Sequence, residues 1–193
     1  MANNTIITIG RQYGSGGHDI GKQLAEELKV PFYDKALLER AAKDSGLCQE
    51  IFENHDEKPT NSFLYSLVMD TYSLGYTTSS FSEMPLNHKI FLAQFDTIKK
   101  LANESSCVIV GRCADVILKD YHPLNLFVYA DKEAKIERCL RRAPAGEKLT
   151  RGDIERRMRQ IDRGRAQYRE MYADSKWGAK ETYHLCISTT EKY

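Results

Sequence analysis

The sequence predicts an α/β three-layer sandwich with a mainly parallel sheet. β-branched apolar runs alternate with stretches of helical periodicity along its 193 residues, the pattern of strands joined by crossover helices. A glycine-rich turn, Gly14-Ser15-Gly16-Gly17, directly follows the first run and opens a helix. Two later runs, 107–111 and, apart from Asn125, 124–130, are apolar, as expected of parallel strands covered on both faces.

Five core strands are expected, at 5–10, 30–33, 107–111, 124–130 and 184–188. The first reads Thr5-Ile-Ile-Thr-Ile-Gly10. The helix after the glycine turn places Ile20, Leu24 and Leu28 on one face at four-residue steps. Strand, glycine loop and helix in that order make a phosphate site: the glycines let backbone N–H groups close on an anion, and the helix N-terminus adds about half a positive charge. The match to the phosphate-loop pattern G-x-x-x-x-G-K-[ST] is incomplete. With Gly16 as the second glycine, Arg11 stands at the first, Gly17 replaces the lysine and His18 the hydroxyl residue. The dinucleotide pattern G-x-G-x-x-G fits less well, since it needs a glycine at Asp19. A plain glycine-rich turn is the bland alternative; the position straight after the first strand favours phosphate.

Asp34 caps a helix with Leu37, Leu38, Ala41 and Ala42 on its buried side, ending near Ser45-Gly46. The pattern weakens over 48–86, which reads either as a substrate-binding arm or as a variable loop. A helix over 87–103 carries Ile90, Phe91, Phe95, Ile98, Leu101 and Ala102 as a stripe. The strand at 107 ends in Gly111-Arg112, with Asp115 close behind; ligands of open parallel sheets bind at such carboxyl ends, so Arg112 and Asp115 are candidate site residues, against a surface ion pair as the alternative. Asp131 is the expected cap of a helix over 132–142. Thr150-Arg-Gly-Asp153 reads as a capping box for a helix striped by Ile154, Met158, Ile161, Tyr168 and Tyr172. That helix also carries Arg151, Arg156, Arg157, Arg159, Arg163, Arg165 and Arg169. Such a run is ordinarily a solvated face, but arginine also suits bidentate phosphate contact, and beside a phosphate loop the helix reads as a lid.

Hydrophobic content of 41%, charge of 28% and a net charge of +1 fit one globular domain and give no pointer to nucleic acid or a membrane surface. The five cysteines are scattered without a C-x-x-C pair, as in a reduced intracellular protein. No signal peptide or membrane-length apolar run is read, so a cytoplasmic location is expected.

Taken in order, Arg11-Gln-Tyr-Gly-Ser-Gly-Gly17, Phe32-Tyr-Asp34, Val108-Ile-Val-Gly-Arg-Cys-Ala-Asp115, Phe127-Val-Tyr-Ala130, Ile161-Asp-Arg-Gly-Arg-Ala166 and Ile187-Ser-Thr-Thr190 resemble the cytidylate kinase-like family, a divergent branch of the P-loop nucleoside monophosphate kinases. The resemblance covers nearly the whole chain. It implies one P-loop NTPase domain over 1–193 with sheet order 2-3-1-4-5, a helical NMP-binding insertion at about 34–104 and an arginine-rich lid at about 143–172. It implies transfer of the γ-phosphoryl group of ATP to CMP or dCMP with Mg2+, the partners being small nucleotides and neither nucleic acid nor membrane. Of the family's Asp-Ser-Gly-Ala only Asp34 is kept; of its Asp-Gly-Arg-Asp, Gly111 and Arg112 remain, with Asp115 as a stand-in; Asp162 and Arg165 match its Asp-x-x-Arg.

The roles this implies are specific. Backbone amides of Gly14, Ser15, Gly16, Gly17 and His18 hold the donor phosphates. Arg112 holds the acceptor phosphate, with Asp115 and Asp162 also on the substrate side. Arg163, Arg165 and Arg156 close over the γ-phosphate. Ser15 or His18 joins the magnesium shell, and Asp34 meets the acceptor or a metal-bound water. Arg11 or a lid arginine replaces the loop lysine, with Lys22 a further candidate. Two other readings stay open: a non-catalytic nucleotide-binding regulator, and a P-loop kinase for another small phosphoacceptor.

Overall fold

The computed structural model describes residues 4–35, 86–144 and 149–191, with the backbone alone over 86–94. The sequence expectations for 36–85, including the helix after Asp34 and the arm or loop at 48–86, lie outside the described residues. The chain divides into two compact units, Met1–Phe32 with Ser106–Tyr193, and Tyr33–Ser105.

Five strands form the sheet: β1 (Ile6–Arg11), β2 (Phe32–Tyr33), β3 (Cys107–Val110), β4 (Leu124–Tyr129) and β5 (Leu185–Ser188). Their order is β2-β3-β1-β4-β5, the order the family resemblance implied. β1 pairs in parallel with β3 and with β4, and β4 in parallel with β5. The expected second strand shrinks to two residues, because Pro31 has no N–H to offer a ladder; its carbonyl still accepts from Val108 N–H at 2.9 Å.

Alternation along the strands gives the sheet two apolar faces. Ile7, Ile9, Val108, Val110, Leu126 and Val128 form one, packed against Ala25, Ile20 and Leu24 of α1 (Gly17–Leu28). The contact is close: a Cβ on Gly21 would stand 2.7 Å from Val110 Cγ2. The expected stripe is corrected at its end, where Leu28 is 49% exposed. The buried residues of α1 are Gly17, Gly21 and Ala25, with Ile20 and Leu24 partly buried beside them. On the opposite face Phe127 meets Trp177 edge-on at 5.2 Å and Tyr183 at 4.9 Å. Helices thus cover both sides, as expected of a three-layer sandwich.

After β3 come the short α3 (Ala114–Ile117), then α4 (Lys132–Arg141) and the 20-residue α5 (Arg151–Glu170). The capping box of α5 is formed, Thr150 and Asp153 each accepting from the other's backbone N–H. Asp131 holds the cap position of α4 but makes no side-chain cap hydrogen bond; its N–H donates to Thr190 Oγ1 at 3.0 Å. Ile136, Ile154 and Met158 join α4 to α5 in a second small core.

Among the described residues of the other unit is α2 (Leu86–Glu104), with Ile98 and Ala102 buried and Lys99 Nζ 4.2 Å over the Phe95 ring. Among the described residues Cys107, Cys113, Cys139 and Cys186 are free thiols, and no helix is long and apolar enough to cross a membrane.

Candidate functional site

The loop between β1 and α1 is held open by two left-handed glycines, Gly14 at φ 75° and Gly16 at φ 79°. Gly16 is the N-cap of α1 and supplies no side-chain cap. A glycine cradle before an uncapped helical turn suits an anion, because the first N–H groups of a helix have no intrahelical acceptor and carry the positive end of its dipole. A nucleoside triphosphate fits on this ground.

The loop is supported from behind by side chains distant in sequence. Arg138 of α4, 2% exposed, donates to the Gly14 carbonyl and, at 3.0 Å, to the Thr189 carbonyl. Thr189 Oγ1 donates to Ser15 O at 2.7 Å. Lys135 Nζ donates to Gln12 Oε1 at 2.9 Å, and burial lowers the pKa of its ammonium against the pull of Asp162 and Asp131. Asp162 of α5 accepts from Tyr13 N–H at 2.7 Å, while Arg165 donates to Arg11 O at 2.9 Å and to Asp162 at 3.3 Å. Burial raises the Asp162 pKa, offset in part by the Tyr13 N–H and by Arg165. Burial also lowers that of Arg165, which Asp162 opposes. Asp162 and Arg165, expected to act on the substrate and on the γ-phosphate, are thus latched to the loop backbone.

Beyond β3 the chain makes a run of three left-handed residues, Gly111 (φ 84°), Arg112 (φ 60°) and Cys113 (φ 52°). Non-glycine residues avoid this region because Cβ crowds the carbonyl, and such outliers gather at functional sites. A cleft opens there, lined among others by Arg11, Arg112, Asp115, Arg169, Trp177 and Tyr183. Asp115 is bound in an ion pair with Arg169, whose Nε and Nη2 also hold Ser175 O and Oγ at 3.1 and 2.9 Å. Burial, reinforced by Asp115, pushes the Cys113 thiol up to about 12. Burial likewise takes the Tyr183 phenol to about 12.

The expected residues therefore separate. Gly14 to Gly17, Arg11 and Arg112 gather at the carboxyl ends of β1 and β3. Arg156 and Arg163 of α5 face solvent. His18 is exposed, 3.5 Å from Asp19 and edge-on to Phe32. Lys22 lies on the outer side of α1, 3.9 Å from Glu26. Asp34 belongs to the other unit. Ser15, expected in the magnesium shell, is fully buried, and its hydroxyl donates inward to Gln12 O at 2.8 Å. With His18 at the usual hydroxyl position, neither Ser15 nor His18 presents a hydroxyl to a magnesium ion there. Among the described residues no cluster of three or more His, Cys, Asp or Glu side chains stands as a metal site. Lys135, Arg138, Trp177 and Tyr183 escaped sequence reasoning. The Ile187-Ser-Thr-Thr190 motif was the one signal for the Thr189 contact.

Comparison with known proteins gives three findings. A model of the cytidylate kinase-like family matches residues 6–191. No curated protein matches the chain. Among solved structures, an uncharacterized protein from Eubacterium ventriosum is 32% identical, with a TM-score of 0.68 over 97% of this chain and 89% of that one. TT1252 from Thermus thermophilus is 16% identical, with a TM-score of 0.51 over 98% and 90%. A shikimate kinase from Bacteroides thetaiotaomicron aligns at 16% identity and a TM-score of 0.49 over 95% and 86%.

Proposed function

The chain belongs to the cytidylate kinase-like family, and from that premise we propose that it transfers the γ-phosphoryl group of ATP to a nucleoside monophosphate, CMP or dCMP. One observation carries the reading: an uncapped glycine loop at the end of β1 lies beside an arginine-bearing cleft at the end of β3. Phosphoryl transfer asks for positioning and neutralisation of charge and little covalent chemistry from the protein.

In this proposal the amides of Gly14 to His18 hold the donor phosphates, and ATP, when bound there, supplies the γ-phosphoryl group. Arg112 clamps the acceptor's phosphate. An oxygen of that phosphate attacks the γ-phosphorus as the bond to the β–γ bridging oxygen breaks, and ADP leaves. A nucleoside monophosphate is largely a dianion at neutral pH, so no general base is needed. Asp162 and Arg165 act by fixing the loop. Arg156 and Arg163 meet the transferring group only if the 143–172 segment closes as a lid. Asp34 contributes from the 34–104 segment. A cytoplasmic location accords with ATP as donor.

The test is ADP release from Mg-ATP against a panel of nucleoside monophosphates, with Arg112→Ala alongside. Release that depends on CMP or dCMP and falls at least about a hundredfold in Arg112→Ala, with ATP binding retained, is expected, as for loss of a charged transition-state contact. The glycine at the lysine position and the inward Ser15 hydroxyl favour a second reading, a nucleotide-binding regulator. ATP binding without ADP release on any acceptor would establish that instead.

A further inference from the structure

We infer that Arg11 has exchanged places with the lysine of the phosphate loop, and that Gly17 is the space its side chain requires. The inference rests on the kinase reading above. A Cβ on Gly17 would lie 2.6 Å from Arg11 Cβ and 3.2 Å from its Cγ. The stem of Arg11 therefore fills the volume in which a lysine at 17 would begin, and the two side chains exclude each other. At its far end the guanidinium lies over Gly111, where a Cβ would meet Nη1 and stand 2.9 Å from Cζ. The side chain thus starts on the last residue of β1, crosses the first residue of α1 and ends over the turn after β3.

That path joins the phosphate loop to the Arg112 cleft, which Arg11 also lines. Its root is fixed, since the Arg11 carbonyl accepts from Arg165 Nη1 at 2.9 Å. Two departures from the phosphate-loop pattern, arginine for the first glycine and glycine for the lysine, become one substitution of a strand-borne cation for a helix-borne one. A guanidinium stays charged at every physiological pH and can take two phosphate oxygens at once.

Full-length protein, Arg11→Met, Arg11→Lys, Arg11→Gly and the double variant Arg11→Gly with Gly17→Lys are each titrated with Mg-ATP by calorimetry, without acceptor. The melting temperature of each is also recorded. Methionine keeps the stem and removes the charge. The expected result is affinity lower by about tenfold or more in Arg11→Met at an unchanged melting temperature, the effect of one charge-assisted contact, with partial recovery in Arg11→Lys. The double variant is expected to bind ATP more tightly than Arg11→Gly alone. Unchanged affinity in Arg11→Met overturns the exchange and leaves the kinase reading standing. If Arg11→Met does not fold, no gain in the double variant over Arg11→Gly overturns it equally. Wild-type protein that neither binds Mg-ATP nor releases ADP overturns the kinase reading, and this inference with it.

Discussion

Arg112 sits in a backbone conformation that its own side chain disfavours. At φ 60°, between Gly111 and Cys113, it holds a left-handed geometry costing an L-residue roughly 1–2 kcal/mol. Glycine carries no such penalty. Arg112→Gly and Arg112→Ala both remove the guanidinium, but only alanine keeps the strain. The glycine variant should therefore melt about 2–4 °C above the alanine variant, the shift expected for roughly 1 kcal/mol in a protein of this size. Both should lose acceptor-dependent turnover. Equal melting temperatures in differential scanning calorimetry would show that the turn does not hold strain at this position. The sequence pointed to Arg112 by its place after an apolar run. It could not reveal the left-handed run, because Arg-Cys is not a pair whose local chemistry favours positive φ.

At the scale of elements, α5 was legible as a helix and illegible as a latch. Its capping box and apolar stripe could be read directly from residues 150–172. Its arginines could not be sorted, since a charge run looks alike whether it faces water or a loop. The partners lie far away along the chain: Tyr13 and Asp162 are 149 residues apart, and Gly14 and Arg138 are 124 apart. Strands β1 and β3 were legible because β-branched runs have few other uses in a chain of this composition, and β4 was legible as a short apolar and aromatic run.

The latch predicts a pH dependence. Burial raises the Asp162 pKa above its ordinary value of 3.8. The folded state then binds a proton more readily than the unfolded chain, and the stability this contributes at low pH is lost as pH rises through the raised value. Asp162→Asn keeps an oxygen for the Tyr13 N–H and carries no charge at any pH. Its melting temperature relative to wild type should climb as pH is taken from the acid range towards neutrality, then level off. A relative melting temperature that falls over that range would mean that the Arg165 pairing outweighs burial.

At the scale of the whole molecule, the order β2-β3-β1-β4-β5 reverses direction between β1 and β3. Connections from strands on either side of such a point leave towards opposite faces of the sheet, and a crevice opens at their carboxyl ends. The phosphate loop turns from β1 into α1 on one face. Phe127, Trp177 and Tyr183 cover the other, where the Arg112 cleft lies. Under the proposed function, donor and acceptor would lie on the two sides of the end of β1, with Arg11 between them. Trp177 is the single tryptophan of the chain and lines the Arg112 cleft, packed edge-on against Phe127. Its fluorescence should change on titration with CMP, should change little with Mg-ATP alone, and should stop responding to CMP in Arg112→Ala. An equal response to Mg-ATP alone would contradict the separation of the two sites. A CMP response that survives in Arg112→Ala would remove Arg112 from acceptor binding while leaving the cleft itself as the acceptor's place.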